Sequence, residues 1–540
     1  MKRRFLSSAP ELISRKSATS PAHTKNRPPP PPATPVDFPH HVPDEPDESA
    51  VAVFDDEAAS TIVSLYGSLR KPTELRAEHL RALNLKVHYD VALDDLLPRD
   101  RLSGVSYVPS TELHELGGMV KAPTHLSNGK EAPDQETYRQ RVAELILDND
   151  EAFRAVLREP PKPGRPVAKP GHFYKFWQGL ETMAQYWDTS LDQYSSDGNG
   201  TKYTGRRLGT GRDMFEAYRE DTVKSFVETI AWFFGVPRLS PRVRLRSMLF
   251  PVRLTHSVYR LPLDRQRMRQ GYGEGPVVGV QCRPETSFRY HTEPPGTGQG
   301  EKLDLARELG ALLLLAQERR REGKKETKPG EGQWYTTKPR WGGGPGGEMG
   351  NAAGNSDEAV ASPSSSLTTS KDKKRESKYR SRRDSAAEAY QKLAPGLGTW
   401  DPKAIYMALG KVPGSGIDDV FLISSLNHHV SILRLQVSDA YLESLEKGSP
   451  MRSPEHTHHP HVLELHRTPW FDLFDAQARV QALGAIWTVL SYQLRSLPKT
   501  PASTPAPTTE SKMTVRKVER SDKELAGAGP GAGDDVRMTE

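Results

Sequence analysis

The chain contains a single cysteine, Cys282, and no long apolar run. One cysteine excludes an intramolecular disulfide and any zinc site built on several thiolates. No stretch reaches the roughly 18 apolar residues that a transmembrane helix needs, and the N-terminus lacks the apolar core of a secretory signal. A soluble intracellular protein without a membrane span is therefore expected.

Apolar residues are scarce for a chain of 540 residues, at 35%, while 45 prolines and 43 glycines are present. This composition, without a repeat period, indicates disordered segments around one sizeable folded domain. We expect a disordered, Pro-rich, basic tail at 1–50 and a small helical region at 51–130. The remaining predicted segments are two parts of one core at 131–322 and 387–498, a disordered Gly/Ser/basic insertion at 323–386, and a disordered C-terminal tail at 499–540.

Core patterning occurs on both sides of the insertion. Before it, apolar residues recur at helical spacing in 134–159 and 213–234, and a β-branched run lies at 277–281. After it, 420–437 resembles a hairpin that turns at Asn427-His428, and 471–497 has one apolar helical face. Neither part suffices alone, so the sequence predicts an α+β fold. Its mixed or mainly antiparallel sheet has about five to six strands covered by helices.

Charge is nearly balanced, with 75 Lys+Arg against 69 Asp+Glu. The basic residues are clustered, which is typical of nuclear localisation or nucleic-acid contact, although a solvated charged segment explains the pattern equally well. The predicted localisation cluster comprises Lys373, Lys374, Arg375, Arg382 and Arg383. Nucleus or cytoplasm is predicted, with a mitochondrial alternative because residues 1–27 are basic and nearly free of acids.

The segment at 205–212 combines glycines and arginines immediately before a predicted helix. Backbone N–H groups at a helix N-terminus can bind an anion, but the Lys-Ser/Thr pair of a phosphate loop does not follow. A flexible basic loop is the alternative. The candidate residues for anion or nucleic-acid contact are Arg206, Arg207, Gly209, Gly211 and Arg212.

Large aromatic residues occur on one face of the next predicted helix upstream. Phe173, Trp177 and Trp187 share that face. The pattern fits a core helix, and it also fits an aromatic surface that binds a protein partner or stacks on bases. An aromatic surface that binds a partner is therefore predicted here.

Histidines are concentrated in two places. Imidazole and carboxylate are ligands of first-row metals, and His459, His461 and Glu464 are the candidate metal ligands, with a solvated histidine loop as the alternative. His428 and His429 are expected in an exposed hairpin turn, where neighbouring side chains face opposite ways. No cofactor is predicted.

No catalytic motif is present, and a Gly-x-Ser-x-Gly elbow is absent. The leading functional prediction is a non-enzymatic α+β interaction module with disordered recruiting arms and an unidentified protein partner. The alternative is a nucleic-acid-binding or metal-dependent nuclease-like protein. Neither 277–281 nor 432–437 places an acidic residue two positions before a lysine, as a nuclease strand of that type would.

Overall fold

The structure is a computed structural model, and it describes part of the chain. The predicted insertion beyond Gly323, the localisation cluster, His459 and most of both predicted tails fall outside the described residues. The described residues are 27–46, 65, 74–98, 107–109, 124–197, 200–236, 243–244, 253–323, 405–412, 414–447 and 461–497. All of them belong to one compact unit, Met1–Leu497.

Ten α-helices lie within the described residues. They are α1 (Ala77–Ala82), α2 (Leu93–Leu96), α3 (Gln135–Leu145), α4 (Asn149–Leu157), α5 (Tyr174–Trp187), α6 (Glu216–Phe233), α7 (Arg265–Arg269), α8 (Gln299–Arg320), α9 (Asp439–Lys447) and α10 (Ala476–Gln493). None of them is long and apolar enough to cross a bilayer.

Thirteen β-strands accompany these helices in the described part of the chain. They are β1 (Leu85–His88), β2 (Tyr194–Asp197), β3 (Gly200–Tyr203), β4 (Val243–Arg244), β5 (Arg253–Leu254), β6 (His256–Ser257), β7 (Tyr272–Glu274), β8 (Gly279–Arg283), β9 (Ile405–Met407), β10 (Ile417–Leu426), β11 (His429–Ser438), β12 (Leu463–Arg467) and β13 (Phe471–Asp472).

Seven strands form the central sheet in the order β1-β12-β11-β10-β8-β6, with β13 added to β11. The β1–β12 and β8–β10 pairs are parallel, and the other pairs are antiparallel. This confirms the predicted α+β fold with a mixed sheet. Strands β6 and β8 precede residues 324–404 whereas β10 to β13 follow them, so one sheet unites both parts of the chain.

The hairpin of β10 and β11 is the centre of the sheet. Its register pairs Leu426 with His429 across a two-residue turn. Asn427 has a φ of 55°, in the left-handed region that asparagine tolerates and that tight hairpin turns require. The predicted turn is therefore confirmed, and the strands extend beyond the predicted range on both sides.

Helices cover both faces of the sheet, as strand alternation dictates. On one face, Leu422, Leu433 and Leu465 pack with α8. The alternate residues Phe421 and Ile423 pack with α5, α6 and α10 on the other face. Contact with α8 is close at Gly279, where an added Cβ would lie 2.7 Å from Leu315 Cδ1.

Two predicted helices are shorter than their apolar patterns indicated. The pattern at 134–159 is divided between α3 and α4, because the Asp148 side chain accepts the Glu151 N–H at 3.3 Å and begins a new helix. Likewise α10 starts late, because residues 471–472 pair with β11 and Asp475 caps the helix through the Ala478 N–H at 2.7 Å.

Candidate functional site at the carboxyl ends of the parallel strands

Strands β1, β8, β10 and β12 run in the same direction, so their carboxyl ends lie at one edge of the sheet. Ligands of open sheets with parallel strands usually bind outside these ends. Arg283 ends β8, Arg467 ends β12, and Ser424 lies near the end of β10. The amino-terminal half of α8 packs beside them and adds two acids.

Glu308 of α8 is the centre of a buried ion network. Its carboxylate accepts two hydrogen bonds from Arg467, at 2.6 and 3.0 Å, and one from Ser424 Oγ at 2.5 Å. Arg283 Nη1 lies 2.9 Å away. Burial favours the neutral acid, but the two arginines outweigh it and lower the pKa of Glu308. Glu308 is therefore an ionised and fully partnered carboxylate.

Asp304 lies one helical turn before Glu308 and, unlike Glu308, is not fully hydrogen-bonded. It is 1% exposed, and its Oδ1 is 3.1 Å from Arg283 Nε. Neither of its carboxyl oxygens accepts a hydrogen bond from the described residues. Burial raises the pKa of Asp304 to about 7. A buried acid with a raised pKa and incomplete hydrogen bonding is a common feature of functional sites.

Residues 27–46, which we call the N-terminal strap, form neither helix nor strand and contact this edge. Val36 packs against an apolar cluster that includes Met214 and Trp187. The Asp37 N–H donates to Thr286 O at 2.8 Å. Composition places the strap in a disordered tail, yet its backbone and side chains contact the folded domain.

The middle of the strap adds further side-chain contacts. Arg289 Nη2 donates to Asp37 Oδ1 at 2.7 Å, and the ring of Phe38 stacks on Trp470 with centroids 5.4 Å apart. The His40 N–H donates to Glu301 Oε1 at 3.3 Å. The strap is therefore recognised residue by residue.

Tyr89 connects the strap to the ion network beneath it. Its ring lies 4.1 Å from that of His40, and its hydroxyl donates to His41 O at 2.6 Å. Burial raises the pKa of Tyr89, while the positive charge of Arg467 opposes the shift. Arg467 of the network also lies over the Trp470 ring on which Phe38 stacks, 4.6 Å from its centroid, so the strap and the ion network adjoin.

His428 and His429 lie beside the strap, with ring centroids 4.1 Å apart. Their Nε2 atoms are 3.7 and 3.8 Å from the Asp472 carboxylate. The expectation of an exposed turn is wrong, because His428 is only 7% exposed and its ring centroid lies 4.9 Å from that of Trp187. His428 belongs to the turn rather than to a strand, so strand alternation does not separate the two rings.

Comparison with known proteins assigns no family. No protein-family model, curated protein or solved structure matches this chain. The function must therefore be inferred from the chemistry of the site itself.

Of the predicted metal ligands, Glu464 lies in a histidine cluster. Its neighbours there are His88 and His466, whose rings stack at 4.5 Å across the β1–β12 pair. His461 lies apart from them, with its backbone carbonyl accepting a hydrogen bond from Asn84 Nδ2 at 3.2 Å. Sequence spacing missed His88 because parallel pairing of distant strands brings it to the cluster.

The predicted anion-contact loop uses two of its arginines inside the fold. Arg207 is 2% exposed and binds both oxygens of Asp192, and its Nη1 also donates to Pro31 O of the strap at 2.8 Å. Arg206 donates to Glu181 Oε1 at 2.6 Å. Arg212 is exposed. Anion contact stays a prediction, and it depends mainly on Arg212.

Two of the three glycines of that loop, Gly209 and Gly211, pack closely against side chains. A Cβ on Gly211 would overlap the Trp187 ring at 1.9 Å, and one on Gly209 would lie 2.9 Å from Asp213 Oδ2. The Trp187 ring leaves no room for a side chain at Gly211, whereas a side chain at Gly209 would displace the Asp213 carboxylate. The glycines thus have a structural reason that does not involve an anion.

The predicted aromatic surface is buried. Phe173 and Trp177 are 0% exposed and Trp187 is 8% exposed. Trp177 Nε1 donates to Glu144 O at 3.0 Å, which satisfies its polar group inside the core. In the folded domain these rings pack against other side chains rather than facing a partner.

The sequence analysis did not identify the acids of α8, although their positions among buried leucines could have indicated them. Asp304 and Glu308 are spaced i, i+4 and fall among the leucines that α8 buries on the sheet. Charged residues at apolar positions indicate buried partners. Arg283 and Arg467 can be identified as those partners only once the strand order of the sheet is known. The two arginines are separated by 184 residues in the sequence.

Proposed function

We propose that this protein is a non-enzymatic interaction module that binds an extended peptide segment at the carboxyl ends of its parallel strands. The observation that carries the proposal is the N-terminal strap itself, which occupies this surface within the same chain. Extended peptides are commonly recognised through successive side-chain pockets. A partner segment with matching chemistry would compete with the strap.

The contacts of the strap define the peptide class. Val36 packs on an apolar cluster, Asp37 pairs with Arg289, and Phe38 stacks on Trp470. The matching ligand is an extended segment with an apolar, an acidic and an aromatic residue in succession. Prolines on either side, at 35 and 39, hold this triplet extended and so reduce the entropy lost on binding.

The contacts of the strap are weak enough for an external peptide to replace it. The Asp37–Arg289 pair is partly solvated, with side-chain exposures of 37% and 20%, and such pairs contribute about 0–1 kcal/mol. A tethered segment binds at a local concentration of about millimolar. An external peptide therefore has to exceed that concentration, or bind more tightly, to displace the strap.

The experiment converts the strap into a removable peptide. A protease site is inserted among residues 47–64 of the full chain, and the cleaved protein is mixed with a labelled peptide of sequence 27–46. We expect the labelled peptide to exchange into the protein and raise its fluorescence anisotropy. Peptides with Asp37→Lys or Phe38→Ala should bind at least ~10-fold more weakly, or about 1.4 kcal/mol.

A matched control is the Glu45→Ala peptide, because Glu45 is exposed on the strap. It should bind like the unaltered peptide. If the resident strap never exchanges, or if Phe38→Ala binds as well as the original, the strap is only a structural part of the fold and the proposal fails.

The nucleic-acid alternative stays a prediction. It requires salt-sensitive binding of single-stranded RNA or DNA that is lost when Arg206, Arg207 and Arg212 are replaced by alanine. Because Arg206 and Arg207 are already ion-paired, Arg212→Ala alone should account for most of the loss. Binding that is insensitive to salt would eliminate this alternative.

A further inference from the structure

Three potential metal ligands converge next to the strap. His428, His429 and Asp472 each provide one ligand atom, and these atoms lie within 4.8 Å of one another. In a tetrahedral zinc site, bonds of about 2.1 Å place two ligand atoms ~3.4 Å apart. His428 Nε2 lies 3.7 Å from Asp472 Oδ1 and His429 Nε2 lies 3.8 Å from Asp472 Oδ2. An ion between the rings would therefore bind either both carboxylate oxygens or one of them after rotation of the carboxylate.

The imidazole of His428 is incompletely satisfied. It is 7% exposed, and its Nδ1 has no hydrogen-bond partner among the described residues. Leaving a buried polar atom unpaired costs free energy. Only a metal bond to Nδ1 itself would offset that cost, since an ion on Nε2 leaves the ring proton on an unpaired Nδ1.

The surroundings resemble the apolar shell of a protein metal site. Rings of Trp187 and Phe474 lie 4.9 and 4.8 Å from His428, and Phe38 meets His429 edge-on at 4.8 Å. Such a shell limits water access and strengthens metal–ligand interactions. Asp472 Oδ1 also accepts the Phe474 N–H at 2.8 Å, which orients the carboxylate.

We infer that His428, His429 and Asp472 bind a divalent first-row transition metal ion, with Zn²⁺ as the best match to two imidazoles and one carboxylate. The inference does not depend on peptide binding by the strap surface. It also differs from the metal ligands expected from the sequence, none of which belongs to this cluster.

The second cluster, of His88, Glu464 and His466, suits a cation less well. The strand register places Lys86 opposite Glu464 and Arg434 opposite His466. These positive charges oppose a divalent cation. The second cluster therefore provides the matched control.

The test uses Co²⁺ as a spectroscopic substitute for Zn²⁺ on the full chain, purified without a polyhistidine tag. We expect saturable binding with visible absorption bands, reversed by added Zn²⁺. His429→Gln and Asp472→Asn should each weaken binding at least ~10-fold, whereas His466→Gln should leave it unchanged. Circular dichroism of the metal-free variants checks that they fold.

If a variant fails to fold, nitrogen NMR shifts of the imidazoles in the unaltered chain provide the second measurement. Addition of Zn²⁺ should then shift His428 and His429. The inference is overturned if the full chain binds no Co²⁺, if both variants bind normally, if His466→Gln abolishes binding, or if Zn²⁺ leaves those two imidazoles unshifted.

Discussion

Helix α8 buries a charged side chain near each of its ends, Arg319 and Asp304, and these two charges are neutralised differently. Near its carboxyl end, Arg319 donates to both oxygens of Asp418, at 2.7 and 2.9 Å, and to Pro276 O at 2.8 Å. Near its amino end, Asp304 lies 3.1 Å from Arg283 without accepting a hydrogen bond.

This difference separates a charge that holds the helix in place from one that the fold leaves incompletely satisfied. A buried ion pair with complete hydrogen bonding holds the helix on the sheet, and removal of one partner leaves an uncompensated charge. An incompletely satisfied acid is a local conflict, and natural proteins keep such conflicts mainly where they function. The amino end of α8 is also the end that the strap covers.

The largest effect is expected at the Arg319–Asp418 pair. Asp418→Asn should lower the free energy of unfolding by about 3–5 kcal/mol, because the buried charge of Arg319 loses its counter-ion. Urea denaturation measures this change. Asp221→Asn, at an exposed position of α6, should stay within about 0.5 kcal/mol. A loss at Asp418 as small as that of the control would show that the pair does not stabilise the fold.

Replacement of Asp304 should raise the free energy of unfolding at pH 8, in contrast to replacement of Asp418. Its pKa in the folded protein is about 7 against 3.8 for an ordinary aspartate, so folding takes up a proton between these pH values. The free energy of unfolding therefore falls as pH rises from about 4 to about 7. Asp304→Asn cannot titrate, so it should remove this slope and be more stable than the unaltered chain at pH 8, by at most about 4 kcal/mol.

Denaturation of both proteins across this pH range measures the effect. The prediction is wrong if Asp304→Asn keeps the pH slope of the free energy of unfolding, or if it is destabilised as much as Asp418→Asn. Asp304 would then stabilise the fold in the same way as Asp418.

The smallest effect concerns the strap. Asp37→Ala removes the partly solvated pair with Arg289, worth about 1 kcal/mol or less. The amides of Asp37 and His40 should then exchange hydrogen up to ~5-fold faster, while amides around Asp418 keep their rates. Hydrogen exchange measured by mass spectrometry compares the strap amides with those around Asp418. Equal acceleration in both groups would contradict local opening of the strap.

Much of the fold was predictable because apolar periodicity is a local property. The apolar runs of β10 and β11 and the helical spacing in α3 and α6 identify elements without knowledge of their neighbours. The prediction that both parts of the chain share one sheet followed from the shortage of strands in each part, and the pairing of β8 with β10 confirms it.

The site was less predictable, because its residues meet only through tertiary contacts. Spacing favoured His459 and His461 as ligands, whereas parallel pairing of β1 with β12 brings His88 to Glu464. The composition of residues 27–46 is typical of disorder, yet pockets from distant segments hold the strap. Local patterns do not encode such pockets.

By itself the sequence determined the classes of element, the α+β architecture and the absence of a disulfide, since these depend on residue type and local spacing. Only the tertiary structure decided which charges are buried together, because Arg283, Glu308 and Arg467 converge through strand order and the packing of α8. It likewise decided that His428 and His429 are enclosed rather than exposed. Burial depends on what covers a residue, and here the cover comes from distant parts of the chain.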